Sequence, residues 1–183
     1  MTRHILAVDD DPHMLRLLER IVAEKTPYGI STTSNSFEVP RLLQEGQFDV
    51  VVTDLRMPGL DGLDILRLVH ERGGGEQVII ITAFGTLDTA MEALSGGVFD
   101  YINKPFRKEE FLFTIHRAMR WIDERREAER LAAIFDLEPY QRAQHALEAE
   151  YAARLRRRTP GDLSALAERS GIDANRLEQL LTP

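Results

Sequence analysis

The chain has 183 residues, of which 43% are hydrophobic and 29% are charged, the proportions of an ordinary globular protein. The formal net charge of −7 argues against binding nucleic acid by bulk electrostatic attraction, and the absence of cysteine excludes disulfides and thiolate metal sites. Apolar runs stay well below the ~20 residues that span a bilayer, and residues 1–4 lead into a strand-like run without a signal-peptide pattern. We therefore expect a cytoplasmic protein with one domain plus a smaller part, or two small domains.

Short apolar runs alternate with helical periodicity through the first two-thirds of the chain. The runs predict five strands, at residues 4–8, 28–33, 48–53, 78–82 and 98–102. The intervening segments predict helices after residue 12, through 39–46, 63–72 and 86–94, and from about residue 107. Such alternation implies right-handed βαβ units, so the predicted fold is α/β with a doubly wound, five-stranded parallel sheet.

The last predicted helix of this domain does not stop where expected. Residues 123–130 hold four acids and three arginines without Gly or Pro, a composition typical of a solvated or partner-facing helix. Helical patterns then follow at 140–158 and 162–181. We predict a domain at 1–122, a charged helical linker or dimerisation segment at 123–158, and a small helical tail at 159–183.

Polar side chains follow several of the predicted strands. Asp9 and Asp10 come after the first strand, Asp54 after the third, Thr82 closes the fourth and Lys104 follows the fifth. Parallel strands present their carboxyl ends, and hence ligand sites, at one edge of the sheet. Clustered carboxylates need a cation among them, and oxygen ligands suit Mg²⁺. The alternatives are that the Asp run only caps a helix and that Lys104 is a surface lysine.

Four motifs in this order resemble the receiver domain of two-component response regulators. They are residues 8–10 (Val-Asp-Asp), 54–59 (Asp-Leu-Arg-Met-Pro-Gly), 82–83 (Thr-Ala) and 101–106 (Tyr-Ile-Asn-Lys-Pro-Phe). The resemblance covers residues 4 to about 122. It implies a flavodoxin-like receiver fold, a sensor histidine kinase as the phosphoryl donor, Mg²⁺ as the cofactor and a switch rather than an enzyme. It also implies slow self-hydrolysis of the phosphorylated form.

The resemblance assigns a role to each acid. Asp54 would be the phosphoacceptor and one of the metal ligands. Asp10 would bind Mg²⁺ directly, Asp9 largely through water, and Arg56 through its backbone carbonyl.

The same resemblance assigns the phosphoryl-binding and switch residues. Lys104 would pair with a phosphoryl oxygen, and Thr82, in the Thr82–Ala83 motif, would donate a hydrogen bond to another. Tyr101 would swing inward as an aromatic switch, and Pro105 would follow a cis peptide bond. Arg56 and Phe84 would flank the path of attacking water, so we expect a long-lived phosphorylated state.

Within this family, residues 84–86 and 97–101 look most like receivers that precede ATPase domains in enhancer-binding transcription activators. No Gly-x₄-Gly-Lys-Ser/Thr phosphate loop follows in this sequence. We therefore do not expect ATP hydrolysis. A phosphatase acting on small substrates through an aspartyl phosphate is disfavoured, since such enzymes usually keep nucleophile and acid two residues apart under a cap domain.

The tail contains the Ala-x₃-Gly-x₅-Leu spacing of helix-turn-helix units, at Ala167, Gly171 and Leu177. In that case Asn175, Arg176 and Gln179 would face a DNA major groove. The pair would need a third helix, which residues 140–158 could supply, with phosphate contacts from Arg154, Arg156, Arg157 and Arg158.

Charge weakens the DNA-binding interpretation of the tail. Residues 123–183 carry ten arginines against twelve acids, a net of −2. We favour a helical tail that pairs with its copy in a homodimer or with a downstream protein, and keep DNA binding as the alternative.

Overall fold

The computed structural model describes residues 3–135, 140–158 and 162–181. The chain forms two compact units, Met1–Asp123 and Glu124–Pro183. No helix in the described ranges is long and apolar enough to cross a membrane.

The first unit contains the predicted five-stranded sheet. Its strands are β1 (His4–Val8), β2 (Gly29–Thr33), β3 (Val50–Thr53), β4 (Gln77–Thr82) and β5 (Asp100–Asn103). They pair in parallel in the order β2-β1-β3-β4-β5. This confirms the predicted fold class, because the strand order reverses at β1 as in a doubly wound sheet.

Four helices join successive strands, and a fifth follows the last strand. They are α1 (Pro12–Lys25), α2 (Val39–Glu45), α3 (Gly62–Arg72), α4 (Leu87–Ser95) and α5 (Lys108–Phe135), with a 3₁₀ turn at Ser36–Glu38. The fifth strand begins two residues later than the pattern predicts. Val98, its predicted first residue, donates its N–H to Ala93 O (3.0 Å) and so lies in the turn that follows α4.

The strand residues explain why the apolar runs are continuous. Ile5 and Ala7 face a core layer under α1 and α5, whereas Leu6 and Val8 face a second layer under α2, α3 and α4. Both faces of the sheet are therefore covered, so successive residues of a strand must all be apolar. The polar side chains are displaced to the strand ends.

The second unit is helical, which confirms the predicted all-helical extension. It comprises the C-terminal residues of α5 together with α6 (Tyr140–Arg158), α7 (Leu163–Ser170) and α8 (Ala174–Leu181). Asp162 caps α7 by accepting the N–H of Ala165 (3.0 Å). A small core joins α6, α7 and α8, made of Ala152, Leu166, Leu177 and Leu180.

A buried carboxylate adds an ionic contact to this unit. Glu150 of α6 is 7% exposed and pairs with Arg130 of α5 and with Arg154 Nε (2.9 Å). Arg154 also reaches Glu127 (2.8 Å). These pairs connect the charged stretch of α5 to α6.

Candidate functional site

Two buried carboxylates lie side by side at the carboxyl edge of the sheet. Val8, the last residue of β1, is paired with Thr53, the last residue of β3. The next residues, Asp9 and Asp54, are therefore neighbours, and they are 3% and 5% exposed. Charged groups are rarely buried so fully without a partner.

Lys104 supplies that partner. Its Nζ donates to Asp9 Oδ2 and to Asp54 Oδ1, both at 2.7 Å. Burial lowers the pKa of Lys104, but the hydrogen bonds to Asp54 and Asp9 outweigh it, so the pKa lies above its ordinary value. Burial raises the pKa of Asp9 despite the opposing effect of Lys104. One ammonium is thus shared by two carboxylates and offsets the charge of only one of them.

The remaining carboxylate oxygens are held by backbone amides. Asp54 Oδ2 accepts the N–H of Arg56 (2.7 Å), and Asp9 Oδ1 accepts that of Asp11 (2.9 Å). Asp11 in turn caps α1 by accepting the N–H of His13 (2.8 Å). The three consecutive aspartates therefore have different surroundings. Asp11 caps the helix, Asp9 points into the site and Asp10 lies at the exposed surface.

Thr82 and the residues after it form another side of the site. Thr82 is fully buried, and its Oγ1 accepts the N–H of Phe84 (3.1 Å). Ala83 and Phe84 are exposed. The guanidinium carbon of Arg56 lies 5.7 Å from the centre of the Phe84 ring, within the range of a cation–π contact.

Tyr101 contacts the start of α4. Its hydroxyl lies 3.3 Å from Thr89 Oγ1. Thr89 also forms a reciprocal capping box with Thr86, the residue before α4. Gly85 permits this close packing, since a Cβ there would lie 3.1 Å from the Tyr101 ring and 2.6 Å from Asn103 Oδ1. Thr89 was missed in the sequence, although Thr-x-x-Thr before an apolar run resembles a capping box.

The donor set at the sheet edge has the chemistry of a hard-cation site. Asp9 and Asp54 offer only oxygens, and a cationic group already lies between them. Within the described residues, no three or more His, Cys, Asp or Glu side chains group as metal ligands. The carboxylate oxygens of Asp9 and Asp54 are nevertheless the donor type that a hard cation prefers. The Lys104–Pro105 peptide bond is cis.

The three tail residues assigned to DNA contact from the sequence differ in exposure and in their contacts. Asn175 and Gln179 are exposed. Arg176 instead binds Glu148 of α6, at 3.2 Å through Nε and 2.8 Å through Nη2, and lies 3.3 Å from His145 Nδ1. The bond to Arg176 lowers the pKa of Glu148. Arg176 therefore holds α8 against α6.

The fold and the arrangement of acids and lysine are those of a receiver. The model of the response regulator receiver domain matches residues 5–116, and the chain belongs to this family. Receiver domains generally bind Mg²⁺ for phosphorylation. The resemblance stated from the four motifs is confirmed.

Relatives of this receiver are transcriptional regulators. The C4-dicarboxylate transport transcriptional regulatory protein DctD of Pseudomonas aeruginosa is 33% identical over 115 residues, which are 63% of this chain and 25% of that protein. The DNA-binding transcriptional regulator NtrC of Escherichia coli K12 is 37% identical over 125 residues, which are 67% of this chain and 26% of NtrC. The match thus spans about a quarter of the length of these relatives.

Solved structures agree with the fold. The receiver domain of a putative Luxo repressor protein from Vibrio parahaemolyticus has a TM-score of 0.67 at 21% identity, over 70% of this chain and 98% of that one. A receiver domain from Clostridium thermocellum has a TM-score of 0.62 at 32% identity, over 69% of this chain and 98% of that one.

Proposed function

We propose that this response regulator accepts a phosphoryl group on Asp54 from a sensor histidine kinase. The observation that carries the proposal is the buried Asp54 carboxylate, held by Lys104 Nζ and Arg56 N at 2.7 Å each. These contacts fix the carboxylate at the edge of the sheet, where a phosphoryl donor can approach it. Phosphoryl transfer depends mainly on such positioning and on charge neutralisation.

The transfer forms a bond between an Asp54 oxygen and phosphorus and breaks the phosphorus–nitrogen bond of the donor histidine. Lys104 Nζ, already at the carboxylate, pairs with a phosphoryl oxygen as charge accumulates there. Thr82 Oγ1 accepts from Phe84 N, so its own hydrogen can be donated to the phosphoryl group.

Asp10, Asp54 and the Arg56 carbonyl would hold Mg²⁺ directly, with Asp9 acting largely through water. The ion would neutralise negative charge on the phosphoryl oxygens. The indirect role of Asp9 is carried over from the family resemblance, since both oxygens of Asp9 and both oxygens of Asp54 already accept hydrogen bonds. The exposed Asp10 suits a direct one.

Two aromatic residues beside the site would act after phosphorylation: Tyr101 would transmit the change, and Phe84 would affect how long the phosphorylated state lasts. Tyr101 moving inward would give up its contact with Thr89, and so would alter the capping box at the start of α4. The Arg56 guanidinium lies over the Phe84 ring at 5.7 Å, and this pair would hinder attacking water. We expect the phosphorylated state to last well beyond seconds, with slow self-hydrolysis.

Labelling with acetyl phosphate and Mg²⁺ tests the acceptor. Asp54→Asn should abolish the label, because an amide cannot attack phosphorus. Asp61→Asn is the matched control: it lies in the same loop and caps α3, a role that Asn also fills. Persistent labelling of Asp54→Asn, or equal loss in both variants, would mean that the acceptor is misassigned.

As the output, the second unit would bind a downstream protein or pair with its own copy in a homodimer. Both would take place in the cytoplasm without a membrane. The solution mass of the full chain, measured with and without beryllofluoride, tests self-association. A mass that rises to that of a dimer with beryllofluoride supports self-association. An unchanged mass leaves a heterologous partner as the output.

DNA binding is the second candidate, favoured by one specific observation. Helix α6 packs against α7 and α8 through Ala152, Leu166 and Leu177, and so supplies the third helix that a helix-turn-helix needs. NtrC is itself named a DNA-binding regulator. Against it, Arg154 and Arg176 are paired with glutamates. A mobility shift that appears with acetyl phosphate and weakens steeply with salt would favour DNA.

A further inference from the structure

Ser36 is a buried hydroxyl aimed at the loop that follows Asp54. It begins the 3₁₀ turn after β2 and is 1% exposed. Asn35 caps this turn by accepting the N–H of Phe37 (3.2 Å). The turn therefore presents the Ser36 side chain in a defined direction, towards residues 58–60.

The Ser36 hydroxyl bridges two peptide groups of that loop. Its Oγ donates to Pro58 O and accepts the N–H of Leu60, both at 2.8 Å. Both distances are those of well-formed hydrogen bonds. A single side chain thus satisfies the carbonyl before Gly59 and the amide after it.

Gly59 lets the loop approach the Ser36 side chain closely. Its φ is +91°, a conformation that side-chain-bearing residues rarely adopt. A Cβ at this position would lie 2.7 Å from Ser36 Oγ and 2.7 Å from the Phe37 ring. The close approach of the turn to the loop therefore requires both the hydroxyl at 36 and the glycine at 59.

The bridge fixes the middle of the loop, while other contacts fix its ends. At one end Arg56 N donates to Asp54 Oδ2 (2.7 Å), and Gly62 N donates to Leu55 O (2.9 Å). At the other end Asp61 caps α3. The direction of the peptide groups between these ends depends on where the middle is held.

We propose that Ser36 is a positioning residue for the phosphoacceptor loop, which orients the Arg56 carbonyl for the cation. The inference rests on the proposed function, in which that carbonyl is a ligand of Mg²⁺. Ser36 touches neither the cation nor the phosphoryl group. Its effect should therefore fall on cation affinity and not on the transfer step.

Ser36→Ala removes the bridge, and Mg²⁺ titration by calorimetry without a phosphodonor measures the consequence. We expect affinity to fall by about tenfold, the size typical of losing a group that orients a metal ligand. Labelling by acetyl phosphate should need about tenfold more Mg²⁺ for half its maximum rate, with that maximum unchanged. Ser31→Ala, which removes a hydroxyl bonded to His4 (2.9 Å), is the control and should match the wild type.

Gly59→Ala provides a second route to the same displacement and remains informative if Ser36→Ala is unstable. It should weaken Mg²⁺ binding, and less so in a Ser36→Ala background, where the clashing oxygen is gone. Unchanged Mg²⁺ affinity in folded Ser36→Ala, or a lowered maximum rate at saturating Mg²⁺, would overturn the role of Ser36. Labelling that survives Asp54→Asn would instead overturn the proposed function, so the two failures are distinguishable.

Discussion

Replacing Lys104 by methionine should destabilise the first unit, because it leaves two buried carboxylates without their shared cation. The Lys104 side chain is 17% exposed and makes two bonds of 2.7 Å. Removing one partner of a buried ion pair costs about 3–5 kcal/mol. The site lies at the edge of the sheet and Asp9 can take up a proton, so we expect about 2–3 kcal/mol at pH 7.

The loss should depend on pH in a defined direction. The pKa of Lys104 is raised above its ordinary 10.5, so titration of the lysine itself removes no stabilisation below pH 10.5, and the stabilisation is lost as pH rises through the folded-state value. The pKa of Asp9 is raised above 3.8. In Lys104→Met this rise should grow, so the variant loses stability as pH increases from about 4 to 7.

Urea unfolding at pH 4 and pH 7 measures this effect. The single tryptophan, Trp121, belongs to the first unit, so its fluorescence follows that unit. Lys108→Met is the matched control: Lys108 is 59% exposed, and the change should stay within about 0.5 kcal/mol. Mg²⁺ at a hundred times its dissociation constant should raise the free energy of unfolding of Lys104→Met by up to about 2.7 kcal/mol. An equal penalty at both pH values would refute the reasoning.

Three further outcomes are expected. Asp10→Ala should weaken Mg²⁺ binding in calorimetry more than Asp9→Ala, and equal losses would contradict the division of roles. Phe84→Ala should shorten the lifetime of the phosphorylated state about two- to fivefold, since an exposed cation–π contact is worth about 0.5–1 kcal/mol; an unchanged decay would remove the ring from the barrier. Leu166→Ala should destabilise the second unit by about 2–5 kcal/mol in circular dichroism. The exposed Leu147→Ala should change it little, and similar effects would argue against the α6–α8 core.

The sequence predicts the sheet and the acid–lysine group because both follow from short-range pattern. Continuous apolar runs such as residues 78–81 are what a strand covered on both faces requires. Parallel strands share an edge, so Asp9, Asp54 and Lys104 were expected at the same edge, where the structure brings them into contact. The cis peptide bond before Pro105, implied by the resemblance, is also present.

Contacts between distant segments were not predictable in this way. Ser36 meets Pro58 across 22 positions, and Arg176 meets Glu148 across 28. Neither pair has a periodic signal, because each depends on how a turn or helix is oriented after packing. Arg176 pairs with Glu148 and is therefore not free to face DNA. The helix-turn-helix spacing alone could not indicate this pairing.

The charge balance at the sheet edge connects phosphorylation to the surface. Two carboxylates share the single positive charge of Lys104, so in the proposed function a phosphoryl group on Asp54 would compete with Asp9 for the same ammonium. A shift of Lys104 would act on the end of β5, since Asn103 is the last residue of that strand. Tyr101 lies in the same strand and contacts Thr89 in the capping box of α4. Strand β5 therefore links Lys104, which would respond to a phosphoryl group on Asp54, to Tyr101, which contacts α4. Under the proposed function, a change at Asp54 would reach α4 through this strand without rearranging the core.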